Sequence, residues 1–595
     1  MERIVEAPTS SYLDLLEDQI DITQVPFSDR GSRLLIYQVP GQSRLFIKLA
    51  ERLTELQPGL DTYRHRPPFM DSFALVDETG TQLDFEDVVT CPYAIRFRTR
   101  LGDFHLVHQS ERVISIGLPP NVSAGMRFHV SPQYWEETQR GGVFKAVRNL
   151  AYASNGKGVR NKITPKGGGY VVDFIVEAGD DCALTIAIGG TLDLAQEVVP
   201  FSTARAAAEQ RWRSWFAGVP PVAEPYRRMY AYAWWVMANN LISPEGRVTY
   251  EAMMPSKVEY VGLWLWDSAL HALAYRHVDA ELARDQIRAM VDHQLPGGML
   301  PDAVYDEGVI AEIDHPIRAE VTKPPILAWA ALKLHETEPD LDFLKEIYVP
   351  LVRWNAWWFS MNDDDVDGLV QYNHPYSSGL DDSPLWDYGM PVEPPDLNTY
   401  LCVQMGSLAM MAEELGMDAE AAMWRRRAAA IVGRMLEDFW DAEAGLFWAL
   451  YQEEPIRVVT PFSLYPLWTG QLPAEVRDRL LEHLTNRDVF WGEYVIPTVA
   501  RNDPHYEPAT MWRGPIWANI NYFFVEALHQ IGRDDLARTV RSRTLELVNS
   551  HPSIYEYYDA ETGERPQKAA EIFGWTAAVF IDLAIQASQD EEGGG

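Results

Sequence analysis

The chain has 595 residues, with 86 Asp and Glu against 51 Lys and Arg, a formal charge of −35 and a pI near 4.7. That balance excludes nucleic acid and anionic membrane as partners, since both demand clustered Lys and Arg, and it leaves a small or neutral ligand. With 47% hydrophobic residues and 20 Trp, the chain can fill two or three domain cores and still spare indole rings for a site.

Taken in order, Met1-Glu2-Arg3-Ile4-Val5-Glu6 lacks a basic-then-apolar leader, and no run of about 18 apolar residues occurs anywhere, so a cytoplasmic protein is expected. Residues 1–200 are expected to form an antiparallel β-sandwich-like domain, a scaffold without chemistry of its own. Period-two alternation runs through 33–39, 44–49, 93–98 and 170–176, with turns such as Asp77-Glu78-Thr79-Gly80 between the strands. Cys91, Cys182 and Cys402 are far apart and odd in number, which reads as buried apolar residues and not as a metal or redox motif. A linker helix is predicted within 201–222, capped by Ser202 or Thr203 and ended by Gly218-Val219-Pro220-Pro221.

From 223 to 589 about twelve helices are predicted, at 225–240, 265–277, 281–294, 320–336, 342–361, 395–415, 418–439, 462–468, 473–485, 515–531, 534–549 and 569–588. Short and long connections alternate. Six helical hairpins closed into a double ring, an all-α (α/α)6 barrel, would bring every long connection to one end, and long connections in a compact domain usually carry function. The tail 590–595, Asp590-Glu591-Glu592-Gly593-Gly594-Gly595, is expected to be disordered.

The long connections hold the candidate chemistry. Tyr260-Val261-Gly262-Leu263-Trp264-Leu265-Trp266-Asp267 puts Trp264 and Trp266 two residues apart, on one face of an extended segment, as stacking platforms for sugar rings. Asp267 would cap the following helix, bind sugar hydroxyls, or do both. Gln294 precedes the tight bend Leu295-Pro296-Gly297-Gly298 and is a candidate hydroxyl partner. Asp381 and Asp382 sit among Gly, Pro, Ser and aromatics in Ser377-Ser378-Gly379-Leu380-Asp381-Asp382-Ser383-Pro384. Trp512-Arg513-Gly514-Pro515-Ile516-Trp517 again joins Trp to Arg and Gly before a helix. In the last long loop Glu556 lies between Tyr555 and Tyr557, ahead of Phe573-Gly574-Trp575. Two carboxyl-bearing loops at one mouth, among Trp and Tyr, fit glycoside hydrolysis, in which one acid protonates the leaving oxygen and the other serves as base or nucleophile. There is no Gly-rich phosphate loop, no His-Glu-x-x-His and no Gly-x-Ser-x-Gly, which sets phosphoryl transfer, zinc hydrolysis and serine hydrolysis aside.

These motifs, in this order over roughly 225 to 588, resemble those of glycoside hydrolase family 63, which includes processing α-glucosidase I and the mannosylglycerate and glucosylglycerate hydrolases. The resemblance implies an (α/α)6 barrel and inversion at α-linked sugars. It matches Asp381 to the general acid and Glu556 to the general base, and Trp264, Trp266, Asp267, Trp512, Arg513 and Gly514 to substrate-contacting positions. Tyr260, Gln294, Asp382, Trp517 and Trp575 complete the expected binding set. The expected activity is therefore an inverting exo-acting α-glucosidase on a short oligosaccharide or glucoside. A hydrolase of glucosylglycerate, mannosylglycerate or trehalose is the alternative, with Arg513 and Lys323 holding a carboxylate aglycone; a non-catalytic carbohydrate-binding protein is the alternative of another class. No cofactor is expected. Calcium stays open in this family, because Met361-Asn362-Asp363-Asp364-Asp365-Val366-Asp367-Gly368 approaches a calcium loop without completing it.

Overall fold

In the computed structural model, residues 12–52, 68–138, 140–146, 148–189 and 198–593 are described. The chain divides into two compact units, the first being Met1–Val219 with Ala238–Ser243 and Lys257–Val261, the second Pro220–Met237 with Pro244–Ser256 and Gly262–Gly595.

The first unit is built from two antiparallel sheets, one of six strands and one of eight. The alternating stretches become the strands Leu34–Gln38, Leu45–Leu49, Ala94–Thr99 and Gly169–Glu177. Leu34, Ile36 and Gln38 lie opposite Leu49, Ile47 and Leu45, so that the apolar set of each strand reaches the same face. Tyr152 of the larger sheet packs edge-on against Phe128 and Phe174 of the smaller, with ring centroids 5.6 and 5.1 Å away, and its hydroxyl donates to Asn161. Helix α1, Phe201–Ala217, also belongs to this unit. It lays Ala204 and Ala208 on Ala94 and Val107 of the larger sheet, which makes it part of that core and not a free linker. Neither Ser202 nor Thr203 caps it. Pro200 occupies the cap position, and the carboxylate of Asp181 accepts from the Ser202 amide (2.7 Å) and hydroxyl (2.6 Å), placing an anion at the positive helix end.

The second unit is helical. Its α-helices are α2 (Arg227–Asn239, of which the last two residues count with the first unit), α3 (Leu265–Tyr275), α4 (Ala280–Val291), α5 (Leu327–Thr337), α6 (Leu341–Met361), α7 (Pro395–Glu414), α8 (Asp418–Asp438), α9 (Ala474–Leu484), α10 (Ala518–Gln530), α11 (Asp534–Asn549) and α12 (Gly574–Gly593). The predicted segment near 465 is a 3-10 helix, Pro461–Thr469, because Pro466 removes a donor an α-helix would use. Helix α5 starts seven residues later than expected from 320, since Pro324-Pro325 cannot continue a helix and a short hairpin, Glu312–Ile313 with Ala319–Glu320, takes the preceding chain. Contacts run from α3 to α5, α5 to α7, α7 to the 3-10 helix, on to α10, to α12, and back to α3. Helices α4, α6, α8, α9 and α11 pack over this closed cycle. Burial follows that order: every residue of α3 is buried, whereas α8 buries only a stripe of Ala421, Trp424, Ala428, Ile431, Val432 and Met435. No helix among the described residues is long and apolar enough to cross a membrane.

The C-terminal expectation needs correction. Helix α12 continues to Gly593, and Arg541 of α11 donates to Asp590 at 2.5 Å, so the segment expected to be disordered is helical there; Gly594 and Gly595 lie outside the described residues. Inside the helical cycle, Asp582 of α12 accepts from Arg276 (2.7 Å), His277 (2.7 Å) and Tyr522 (2.6 Å), joining the C-terminal end of α3 and helix α10 to α12. Burial alone would raise this carboxyl, but Arg276 and the three donors hold it well below the usual carboxylate range. Its stabilisation is therefore present above the ordinary carboxylate pKa and is lost as pH falls toward the depressed folded value. Replacing Asp582 by Ala leaves Arg276 buried without its anion and is expected to cost about 3–5 kcal/mol, seen as a lower urea midpoint at neutral pH. An unchanged midpoint would show that the network contributes nothing net.

Candidate active site

Five long connections, with the helix starts that follow them, carry the candidate residues. In the first, Leu263–Trp264 pairs with Ala303 and Val304 as a short strand and turns at once into α3. The helix thus begins at Leu265, with Trp264 at its cap position, and Asp267 is the third helical residue instead of the expected cap. Trp264 and Trp266 do not share a face either, because one ends a strand and the other starts a helix. Trp264 meets Tyr305 edge-on at 5.7 Å, while Trp266 faces Trp575 at 5.1 Å and Trp512 at 6.1 Å. Tyr260 is half-buried on the stretch Lys257–Val261, which belongs to the first unit.

The loop bearing Asp381 and Asp382 is shaped by its own turn chemistry. His374 Nδ1 accepts from the Tyr376 amide (3.1 Å) and caps the 3-10 turn Pro375–Ser378; Gly379 follows with φ +72°. Gly379 is required twice over, since a Cβ there would lie 2.3 Å from the Trp266 ring and the left-handed backbone disfavours any other residue. Ser378 Oγ accepts from Leu380 N (2.9 Å), the Trp386 indole donates to the Leu380 carbonyl (2.6 Å), and a second 3-10 turn starts at Pro384. The two aspartates between these turns differ. Asp382 accepts from the Trp512 amide at 2.8 Å, and its carbonyl accepts from Arg513 at 3.1 Å. Asp381 is half-buried, and its Oδ1 is buried with no hydrogen-bond partner among the described residues. Burial pushes the Asp381 carboxyl up to about 7, against the pull of the Lys323 ammonium and with help from the charges of Asp302 and Asp382.

Lys323 is 5% exposed and its Nζ lies 2.8 Å from Asp302, itself 4% exposed; it also donates to the Tyr376 carbonyl at 2.5 Å. Burial alone would lower the Lys323 ammonium, but the Asp302 carboxylate in short contact, with smaller contributions from the Asp381 and Asp267 carboxyls, raises it above its ordinary value. Asp267, 3% exposed, is raised well above its ordinary value by burial, opposed by Lys323 and reinforced by the charges of Glu556 and Asp302. Glu556, 3% exposed, accepts from the Ala570 amide through Oε2 at 3.0 Å, while its own amide donates to the Ala570 carbonyl at 2.9 Å. That pairing holds 569–573 out of helix, so α12 begins at Gly574 instead of 569. Asp381, Asp302, Lys323, Asp267 and Glu556 thereby form one electrostatic group drawn from four connections.

The remaining acids of the last loop are accounted for differently. Glu561 and Glu564 are exposed, the former bound to Arg501 (3.1 Å) and Tyr506 (2.5 Å), and Glu571 is paired with Arg565. Several residues of the expected binding set are engaged by other groups of the protein. Gln294 donates both amide hydrogens to its own surroundings, to the Gly298 carbonyl (2.8 Å) and the Pro350 carbonyl (2.7 Å), and braces its loop. Arg513 is engaged bidentately by Asp387 (3.1 and 2.7 Å) and by Glu507 (3.3 Å), so it clamps loops together and is not poised for a ligand carboxylate. Trp512 and Trp517, each 1% exposed, stack on one another with centroids 3.6 Å apart, and Tyr557 covers the other face of Trp517 at 4.8 Å. They cannot serve as open platforms; with Trp266 and Trp575 they make a packed aromatic wall. A Cβ on Gly514 would lie 2.4 Å from the Glu507 carbonyl, so glycine is needed for the loop to close on itself. Asp302 escaped sequence reasoning, since a single acid after Leu300-Pro301 carries no spacing signal, and Lys323 was read only as a ligand holder.

Away from this group, ligand oxygens of Asp363, Asp365 and Asp367 lie within 4.8 Å of one another and could together hold a cation. Arg434 already donates to Asp367 at 3.1 Å.

A model of the mannosylglycerate hydrolase MGH1-like glycoside hydrolase domain matches residues 260–576. The mannosylglycerate hydrolase of Thermus thermophilus is 30% identical over 409 residues, spanning 55% of this chain and 95% of that enzyme. Among solved structures, a GH63 mannosylglycerate hydrolase from Thermus thermophilus in complex with glucose is similar at TM-score 0.52 and 25% identity, covering 60% of this chain and 99% of the other. A bacterial glucoamylase complexed with acarbose, at 11% identity and TM-score 0.56, shares the fold over 95% of both chains. The chain belongs to the MGH1-like branch of glycoside hydrolase family 63 and is a glycoside hydrolase.

Proposed function

We propose that the chain is an inverting, exo-acting α-glycosidase that removes a terminal glucosyl unit from a short oligosaccharide or glucoside. The observation that carries this reading is the difference between Asp381 and its neighbours: among the acids of the group it alone combines a buried, unpartnered oxygen with a proton retained up to about 7. A general acid needs both, a proton to give at working pH and a free oxygen to give it from. Asp382 is occupied by the Trp512 amide and serves the loop. Glu556 is the base in this reading. Its partner Ala570 N fixes one oxygen, and Tyr557 and the aromatic wall limit bulk water around it. The closed contact cycle of α3, α5, α7, the 3-10 helix, α10 and α12, with α4, α6, α8, α9 and α11 packed over it, supports an (α/α)6 barrel with this group at one end.

In the proposed step Asp381 transfers its proton to the glycosidic oxygen as the bond to the anomeric carbon breaks. Water attacks that carbon from the opposite face and loses its proton to Glu556, which requires carboxyls roughly 6.5–9.5 Å apart. Products leave, Glu556 releases the proton and Asp381 regains one, which balances the cycle. Asp267, buried and with its carboxyl raised well above the ordinary value, is suited to hydrogen-bond a sugar hydroxyl.

A glycerate glycoside is the second reading, supported by the 30% identity to the Thermus enzyme and opposed by the ion pairs that already occupy Lys323 and Arg513. Rates on maltose, kojibiose, nigerose, trehalose, glucosylglycerate and mannosylglycerate separate the two.

Three outcomes are expected. Asp381→Asn should lower kcat about 10²–10⁴-fold with KM changed little, whereas an active Asp381→Asn beside an inert Asp382→Asn would reverse the assignment. Because the protonated acid is the working form, kcat/KM should decline on the alkaline side with a midpoint at about 7, as measured by a pH–rate profile. Proton NMR of the first-formed sugar should show the β anomer; release of the α anomer would refute inversion with Glu556 as base.

A further inference from the structure

The Lys323–Asp302 pair sits beside the proposed acid, yet neither member has a part in the proton transfers. A buried ion pair is an expensive thing to maintain, and it is weak evidence of stability in itself. Its placement is specific. Lys323 immediately precedes Pro324-Pro325, which hold the chain extended before α5, and its ammonium donates to the carbonyl of Tyr376, five residues before Asp381 on the same loop. The ammonium thus has the Asp381 loop on one side and Asp302, 2.8 Å away, on the other. Asp302 is fixed by backbone: its amide donates to the Ile310 carbonyl (2.8 Å) and its carbonyl accepts from Leu265 at the start of α3 (3.1 Å).

The charged and titratable groups around Asp381 come from every connection of the group. Lys323 lowers its proton affinity; Asp302 and Asp382 raise it; Tyr376 feels Asp381 from the same loop. Asp267 at the start of α3 couples to Lys323, Asp302 and Glu556. Arg513, the next cation, is spent on Asp387 and Glu507. Lys323 is therefore the cation whose state decides whether the acid keeps its proton. An ammonium free to contact the unpartnered Oδ1 of Asp381 would convert the acid to a carboxylate in an ion pair, which cannot protonate a leaving group.

Resting on the glycosidase reading above, we propose that Asp302 is a positioning residue: by holding the Lys323 ammonium in a buried ion pair it keeps that cation off Asp381, so that Asp381 carries its proton to the leaving oxygen. Lys323 in turn anchors the Asp381 loop through Tyr376. Both residues act through Asp381 and neither touches the reacting atoms.

The test uses the full chain and two variants. In Asp302→Asn the unneutralised ammonium falls to Asp381, and the alkaline limb of kcat/KM should move down by about one pH unit or more. At neutral pH this reads as a roughly fivefold or greater loss that recovers on acidification. In Asp302→Asn/Lys323→Gln both charges are gone, and the midpoint should return to within a few tenths of a unit of the unmodified protein. A merely structural role would instead lower activity equally at all pH values, with no recovery in the double variant, and either result would overturn the proposal. The same midpoints can be followed without substrate, from the infrared carbonyl band of the protonated buried carboxyl, assigned by its disappearance in Asp381→Asn. An unshifted band in Asp302→Asn sinks the positioning role, whereas a shifted band in a protein that hydrolyses none of the glycosides sinks the glycosidase reading alone.

Discussion

One ammonium among several buried carboxyls is the constraint around which the candidate site is arranged. Asp267, Asp302, Asp381 and Glu556 cannot all be ionised near Lys323, because a single cation does not offset the desolvation of four anions. Some must keep their protons. Burial raises Asp267, Asp302 and Asp381 alike, and they differ in distance from the cation: the short contact of Lys323 goes to Asp302, so the other two receive only its longer-range field. On the proposed reading, acid and base roles arise from one uneven distribution of charge among side chains of the same chemical type.

That distribution survives only if the loops stay in place, and the second layer of contacts supplies this. Asp382 joins its loop to the Trp512 amide, Arg513 adds Asp387 and Glu507, and Gly379 lets the Trp266 ring lie against the loop backbone. The four tryptophans meet one another instead of solvent, so they confine the group and set its dielectric. A wall of this kind suits a site that takes the end of a chain more than an open groove lined with exposed rings would.

The helical architecture was legible because it rests on periodicity. Inner helices such as α3 and α7 are buried nearly all round, outer ones such as α8 and α11 bury a stripe, and the alternation of connection lengths orders them. Misplaced boundaries fall where tertiary pairing wins over local preference. Ala570 binds Glu556 and delays α12, and Pro466 tightens one helix to 3-10; α3 begins at Leu265 as expected, but the strand at Leu263–Trp264 puts Trp264 and not Asp267 at its cap. The motif residues Asp381 and Glu556 stood out by their loops, but the division of labour around them did not. Whether an Arg or Gln beside a carboxyl is a ligand contact or a brace depends on which partner is nearer in space. Arg513 and Gln294 were given to the ligand on sequence grounds, and the fold gives both to the protein.

The same logic bears on how a family with one catalytic pair can serve different glycosides. Protein carboxylates already neutralise Lys323 and Arg513, so a ligand anion entering here would meet spent cations and a net negative surround. A neutral leaving sugar asks for hydrogen bonds instead, and buried polar groups such as the Asp267 carboxyl can provide them at little electrostatic cost. Retuning such a site for a charged aglycone would take the removal of one protein anion, Asp387 or Glu507, to release the guanidinium they hold, with the catalytic carboxyls left as they are. On the proposed reading, specificity at the leaving side and proton delivery at the bond rest on separate ion pairs, so either can change while the other persists.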